Sequence, residues 1–440
     1  MGVVSNIDFA GRTPLSVPMP TGTPAATGPA FTAHGRASWA ILAVLTIVNL
    51  LNYVDRQIIL PLIPSIQKSL RISDWQAGLL VTAFMVVHSV ASVPLAVLAD
   101  RWARKYVIAI GVTLWSVATS LGAVASGFLQ LFFARAAVGI GEAAYAPAAS
   151  AILAEEFPGR GRATAMGVFQ LGMLIGGGVG FVVGGAIGAR FGWRAAFLVA
   201  GLPGLAIALT TLLIPRRPRP VPAAPEHRPS WSELWRSPNF LLIVLGGTLV
   251  TFAIGGILAW APTFIQRYHG FSPAGAGAVM GIGGVVAGLC GVATGAVLAD
   301  LLSKRTTGSR PIIAGVGFLL GVPFNLGVVF LDARLPFLVC VLLTIYFFAF
   351  YTGPILAAVV DEIRPELHAT AVGAYLLIIH LGGDALSPPL IGAVSDLVGL
   401  RHALLVPICA AIAGGVVLVV TGARRGRLVT GASSVLERRT

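Results

Sequence analysis

Four charged residues stand inside long apolar stretches of the sequence. Asp55 and Arg56 interrupt the first stretch. Arg135 and Glu142 interrupt the fourth, seven positions apart, which is two turns along one helical face. An ionisable group deep in an apolar layer costs at least about 2.5–3.5 kcal/mol, so it needs a partner or a water-filled cavity. Two chemistries suit the set. The first is reversible protonation: a buried carboxyl beside an arginine is pulled in opposite senses by burial and by the cation, so displacing the partner tips the balance. Asp55 is the first choice for the proton-carrying group and Glu142 the second. The other chemistry is anion recognition, because the forked guanidinium groups of Arg56 and Arg135 match phosphate or carboxylate. The plain alternative is two structural ion pairs that only neutralise each other.

A second constellation lies near the C-terminus. His380 and Asp384 are four residues apart and share a helical face. Ser387, Pro388 and Pro389 follow and must break or kink the helix. The pair either titrates or makes a packing hydrogen bond, whereas the isolated His88 reads as a core or cavity-wall residue. Aromatic residues crowd a later stretch (Tyr346, Phe347, Phe348, Phe350 and Tyr351), with Phe252 and Trp260 in another. A charged wall facing an aromatic one would suit an amphiphile. The spacing of acids, histidines and cysteines offers no metal set, no nucleophile–base constellation and no phosphate loop with lysine, so neither cofactor nor catalysis is expected.

The elements that must position these residues follow from composition. The 440 residues are 56% hydrophobic and only 11% charged, with mean hydropathy +0.87. Soluble domains carry about 25% charged residues, so this surface must meet lipid. Apolar runs fall at about 38–65, 75–99, 106–125, 128–155, 162–187, 193–214, 238–265, 274–299, 311–331, 335–360, 369–394 and 400–422, twelve runs long enough to span a bilayer. The 54 glycines fit close helix packing in a membrane. The Pro/Arg-rich stretch 215–237 cannot continue a helix and separates two six-helix bundles, 38–214 and 238–422, flanked by cytoplasmic tails at 1–37 (disordered) and 423–440.

The net charge of +13 could indicate nucleic acid, but its placement indicates a membrane. With the N-terminus in the cytoplasm, 21 Lys/Arg fall on the cytoplasmic side and seven on the other. That asymmetry orients a multi-pass protein. Arg216, Arg217, Arg219, Arg228 and Arg236 share the central loop, and Arg424, Arg425 and Arg427 follow the last span, where they can meet anionic lipid headgroups. Cys290, Cys340 and Cys409 lie within apolar runs and read as small core residues.

The two bundles repeat one another. Ala96-Val97-Leu98-Ala99-Asp100 recurs as Ala296-Val297-Leu298-Ala299-Asp300, each followed by basic residues. Ala163-Thr164-Ala165 recurs as Ala369-Thr370-Ala371, and Gly192-Trp193-Arg194 is echoed by Gly399-Leu400-Arg401. Tyr145 and Glu155-Glu156 are echoed by Tyr351 and Asp361-Glu362. Four matches in the same order indicate duplication. Across it the charges are one-sided: Gly255 and Gly256 stand opposite Asp55 and Arg56, Val341 and Phe348 opposite Arg135 and Glu142. Parallel repeats with a site between them resemble the major facilitator architecture. Asp100-Arg101-Trp102-Ala103-Arg104-Lys105 resembles that superfamily's loop signature, with Ala96 replacing the expected glycine. Together with Asp300, Lys304 and Arg305 it is expected to form a cytoplasmic gate.

Three motifs resemble one family more closely. Asn52-Tyr53-Val54-Asp55-Arg56, and Arg135 with Gly139-Ile140-Gly141-Glu142-Ala143-Ala144-Tyr145, are similar to signatures of Spinster-type proteins. The anion:cation symporter family shares similar spellings of both. His380-Leu381-Gly382-Gly383-Asp384-Ala385-Leu386-Ser387-Pro388 and Ser395-Asp396 resemble the Spinster pattern alone. The likeness runs over about residues 38–420. It implies carriage of lysolipids or sphingoid phosphates, with Asp55 and Arg56 as the coupling pair and Glu142 and Arg135 as their partners in the cavity. The expected substrate-contacting set is Arg56, Arg135, Glu142, Tyr53, Tyr145, His380, Asp384 and Phe348. The expectation is a monomeric, all-α transporter of the inner membrane, bacterial in its short loops and its arginine- and alanine-rich composition, that moves an amphiphilic organic anion against protons or with them. A carrier of small organic acids or drugs is the alternative. Protons, the substrate and membrane lipids are its expected partners, and nucleic acid is not.

Overall fold

The computed structural model describes residues 35–159, 161–215 and 234–437. Residues 1–34 of the expected N-terminal tail, 216–233 of the expected linker and 438–440 lie outside that set. Among the described residues, twelve helices are long and apolar enough to cross a membrane. They are α1 Arg36–Leu70, α2 Asp74–Ala99, α3 Arg104–Gly122, α4 Phe128–Glu156, α5 Gly161–Phe191, α6 Trp193–Thr211, α7 Pro238–His269, α8 Pro273–Ser303, α9 Ser309–Phe330, α10 Arg334–Glu362, α11 Thr370–Val398 and α12 Leu400–Gly426. Beyond the span α12 stays helical to Glu437, past the expected start of a tail at 423, because no proline interrupts that stretch.

The repeat seen in the sequence is a repeat of contacts. Ser38 donates to Glu156 at 2.9 Å, and Ser237 donates to Glu362 at 3.2 Å. Arg104 pairs with Glu155, and Arg310 with Asp361. Gly192 and Gly399 open α6 and α12 at φ 82° and 84°, a conformation in which a side chain would be strained. Small residues set the crossings as well. A Cβ on Gly111 would stand 2.7 Å from the Gly141 carbonyl oxygen, and one on Gly317 2.6 Å from that of Phe347. These helices touch backbone to backbone, as expected where lipid supplies no hydrophobic drive for association. The left-handed helix ends at Arg71 and Gly270 and the N-caps Ser73 and Ser272 are equivalent. They move the α1–α7 register by one from the sequence alignment, so Ile254 and Gly255 stand opposite Asp55 and Arg56.

Between the halves, α2 lies against α11 and α5 against α8, two contacts exchanged by the repeat. They tighten toward the end opposite the termini. There a Cβ on Gly78 would meet the Pro388 carbonyl carbon at 2.6 Å, and one on Gly392 would meet that of Asp74 at 2.6 Å. Nearer the terminal end, Gly167 on α5 and Gly373 on α11 are exposed, with open space where a Cβ would go. The central site therefore lies between helices that are packed together at one end and spread at the other.

Candidate functional site

Adjacent residues on a helix point about 100° apart, so Asp55 and Arg56 do not face each other. Each finds its partner on α4. Arg135 Nη1 donates to Asp55 Oδ1 at 3.3 Å, with both side chains almost fully buried. Thr119 Oγ1 on α3 donates to Asp55 Oδ2. Arg56 Nη2 lies 3.5 Å from Glu142 Oε2, the arginine partly exposed and the glutamate wholly buried. The expected network is thus a crossed pair of ion pairs, not a local Asp55–Arg56 contact. The two pairs are unequal. Asp55 accepts two well-formed hydrogen bonds, whereas Glu142 has only the Asn52 side chain close by and no well-formed hydrogen bond. A buried polar group left unsatisfied costs about 1–3 kcal/mol, more when charged, so the Arg56–Glu142 pair is the looser one.

Phe84 on α2 forms a shelf for both cations. The Arg56 guanidinium carbon stands 4.7 Å and that of Arg135 5.2 Å from the ring centroid, and Tyr53 lies 4.9 Å from Arg56 on another side. Such contacts orient a guanidinium without consuming its N–H donors. Neither Phe84 nor Thr119 was marked by the sequence, because an aromatic or a threonine inside a span carries no charge to betray it. His88 lies beside the same shelf, 5.6 Å from the Phe84 ring.

A cavity of about 180 Å³ opens beside this cluster, between the halves. Tyr53, Arg56 and Arg135 line one wall; Leu258, Ala259 and Asp384 line the other. His380 Nδ1 bonds Asp384 Oδ2 at 2.9 Å, and Asp384 Oδ1 has no hydrogen-bond partner. Both residues belong to a π-helical turn, His380–Asp384, directly before the prolines. The helix is thus irregular one turn earlier than the prolines alone required, and it resumes at Ser387 with Pro388 and Pro389 in its first turn, where missing N–H groups are harmless. The glycine opposite has a packing reason. A Cβ on Gly255 would come within 2.6 Å of the Asp384 Cα, so α7 approaches α11 only because that residue is glycine.

Some expected site residues lie elsewhere. Phe348 is buried against Phe318, ring centroids 4.4 Å apart, and seated on Gly321, so it faces α9 and does not line the cavity. Tyr145 is buried between Trp115 and Phe169 and donates its hydroxyl to the Leu45 carbonyl, a packing role. The far wall is consequently aliphatic at the cavity, not aromatic; Trp260 is fully buried and spends its N–H on the Pro388 carbonyl at 3.0 Å. Among the described side chains, the contacts that the loop residues make stay within one half. Arg104 pairs with Glu155 at 2.5 Å and Lys105 donates to the Leu212 carbonyl at 3.0 Å, both within the N-terminal half. Arg101, Asp300, Lys304 and Arg305 are exposed, and the side chain of Asp100 lies outside the described set.

Comparison with known proteins is consistent across sequence and fold. The model of the Major Facilitator Superfamily matches residues 45–383. Protein spinster homolog 1 of Xenopus laevis is 31% identical over 392 residues, covering 82% of this chain and 73% of that one. An MFS-type efflux pump of Mycolicibacterium smegmatis is 32% identical over 379 residues, covering 82% and 86%. In fold, the chain is similar to a bacterial homolog of the human lysosomal transporter Spinster, solved inward-facing and unoccupied. The TM-score is 0.80 over 89% of this chain and 98% of that one, and the 24% identity leaves this a likeness of fold.

Proposed function

The chain belongs to the major facilitator superfamily, to its Spinster branch, and from that premise we propose that this membrane transporter couples an amphiphilic organic anion to protons. The substrate class is a lipid with an anionic headgroup, such as a lysophospholipid or a sphingoid phosphate, and the mechanism is alternating access. The observation that carries the reading is the pair of crossed ion pairs, Asp55–Arg135 and Arg56–Glu142, whose arginines line one wall of the central cavity while the carboxylates are buried behind them. Arg56 is the partly exposed cation and its pair is the longer one, so an arriving phosphate or carboxylate can draw it away from Glu142. That leaves a buried carboxylate without its counter-charge, and protonation is what removes such a charge from apolar surroundings. Substrate and proton thereby act on the same two pairs, and a helix movement that re-forms them releases both. The aliphatic wall at Leu258 and Ala259 suits the tail next to the headgroup. The protein resides in the inner membrane as a monomer, with both termini in the cytoplasm.

In proteoliposomes, uptake of a fluorescent lysophospholipid should follow an imposed pH gradient. Glu142→Gln, at the carboxylate that loses its counter-charge, and Asp55→Asn, in the neighbouring pair, should each abolish the dependence on that gradient while leaving the protein monodisperse. Full gradient-dependent transport by either variant would remove that carboxylate from the coupling mechanism. The similarity to a mycobacterial efflux pump favours a second reading, export of small organic anions or drugs. Competition separates the two: stabilisation against heat by lysophospholipids but not by small carboxylates or dyes supports the lipid, and the reverse pattern supports the exporter.

A further inference from the structure

The motif Ser395-Asp396 plays no part in the cavity, yet both residues make contacts across the two halves. Asp396, near the end of α11, accepts the backbone N–H groups of Asp74 and Trp75 on its two oxygens, each at 2.9 Å. These are first-turn amides of α2, which no intrahelical carbonyl can satisfy. The helix already supplies its own capping box: Ser73 Oγ accepts the Gln76 N–H at 3.2 Å, and the Ser73 N–H donates to Gln76 Oε1 at 3.0 Å. Asp396 thus takes the orphan donors that remain, at the positive end of the helix dipole. The α2 residue it holds, Asp74, reaches back. Its carboxylate accepts a forked pair from Arg267 of α7 at 2.9 and 2.6 Å, Ser395 Oγ at 2.5 Å and Gln67 Nε2 of α1 at 2.6 Å. Beside it, Gln266 donates to the Pro61 carbonyl at 2.9 Å.

We propose that Asp74, Arg267 and Asp396 form the latch that closes the transporter at the face opposite its termini, and that its release is the step that opens that face. The latch joins the far ends of four of the five helices that line the cavity. α1 carries Arg56 and then Gln67, α2 Phe84 and Asp74, α7 Leu258 and Arg267, α11 Asp384 and Asp396. Three of them are irregular between cavity and latch: α1 has a 3-10 turn at Leu60–Leu62, α7 contains Pro262, and α11 has its prolines after the π turn. Such segments let a helix bend at the cavity and lift its end out of the latch. Charge-assisted bonds on both carboxylates make the closed arrangement specific, and the exposure of Arg267 and Asp396 at the aqueous rim makes it reversible.

The test measures distance across that face. Spin labels are attached at Lys68→Cys and Leu397→Cys, exposed ends of opposite halves, in a background of Cys290→Ala, Cys340→Ala and Cys409→Ala. The parent should give chiefly the short distance. Asp396→Asn and Arg267→Gln, both close in shape to the native residues, should each raise the long-distance fraction several-fold. Asp332→Ala, which removes the 2.8 Å pair with Arg401 within the C-terminal half at the same face, should leave the distribution as it was. An unchanged distribution in the two latch variants overturns the proposal, and so does an equal rise with Asp332→Ala.

Discussion

At the scale of single residues, the site is governed by which charge meets which. Asp55 has an arginine and a threonine to hold it, whereas Glu142 has a cation at 3.5 Å and only the Asn52 side chain close by. Removing one member of a buried pair leaves the other uncompensated, which costs about 3–5 kcal/mol, while removing both together costs far less. Arg135→Ala should therefore lower the thermal unfolding midpoint sharply, and Arg135→Ala combined with Asp55→Ala should restore much of it. A double variant no more stable than the single one would show that Arg135 acts through packing alone. Phe84 offers a different test, because it holds both guanidinium groups without any hydrogen bond. Each cation–π contact is worth about 0.5–2 kcal/mol and the ring is fully buried, so Phe84→Leu should lower the unfolding midpoint and also weaken substrate affinity severalfold, read by a binding titration beside the melt.

At the scale of elements, irregular helices place the site. The π turn at His380–Asp384 turns Asp384 toward the cavity and leaves one of its oxygens free of hydrogen bonds. α7 must lie close for that wall to form, and Gly255 permits it. Overpacking of this kind typically costs about 1–3 kcal/mol, so Gly255→Ala should destabilise the protein by that order and slow transport by shifting Asp384. The check is the unfolding midpoint measured beside the transport rate. Unaltered values for both would mean that the two helices separate at no cost. α1 shows the same economy of means: Pro61 falls in a 3-10 turn immediately beyond the Asp55–Arg56 step, where the loss of an N–H donor does least harm.

At the scale of the whole molecule, duplication supplies the frame and asymmetry supplies the function. The two halves share helix caps, glycine crossings and the paired contacts of Ser38 with Glu156 and Ser237 with Glu362. They do not share the charged cluster, which belongs to α1 and α4, with Ile254, Gly255, Val341 and Phe348 in the corresponding places. The frame therefore stands without those charges, which is the reason to assign them work. An even number of spans puts both termini on one side, and the proposed orientation, read from the distribution of Lys and Arg, makes that side the cytoplasm. A fluorescent protein fused after Thr440 should be bright in a bacterial host and an alkaline phosphatase fused there inactive. The opposite result would invert the orientation.

The sequence by itself determined the membrane class, the twelve helices, their duplication and the identity of the charged residues. Those properties follow from local hydropathy and from residue types too costly to bury without cause. Its three motifs also carried the Spinster resemblance that the family comparisons bear out. Only the tertiary structure decided the partners. Asp55 and Arg56 are neighbours in the chain, but helical rotation sends them to different residues of α4. Phe348 and Tyr145 share the composition of a binding wall, and the direction of each side chain buries it in its own half. Phe84, Thr119 and the contacts of Asp74 with Arg267 and Asp396 became visible only when distant segments were brought together. A charge in a span announces that it needs a partner, but which partner is a matter of distance, and distance is a property of the packed helices.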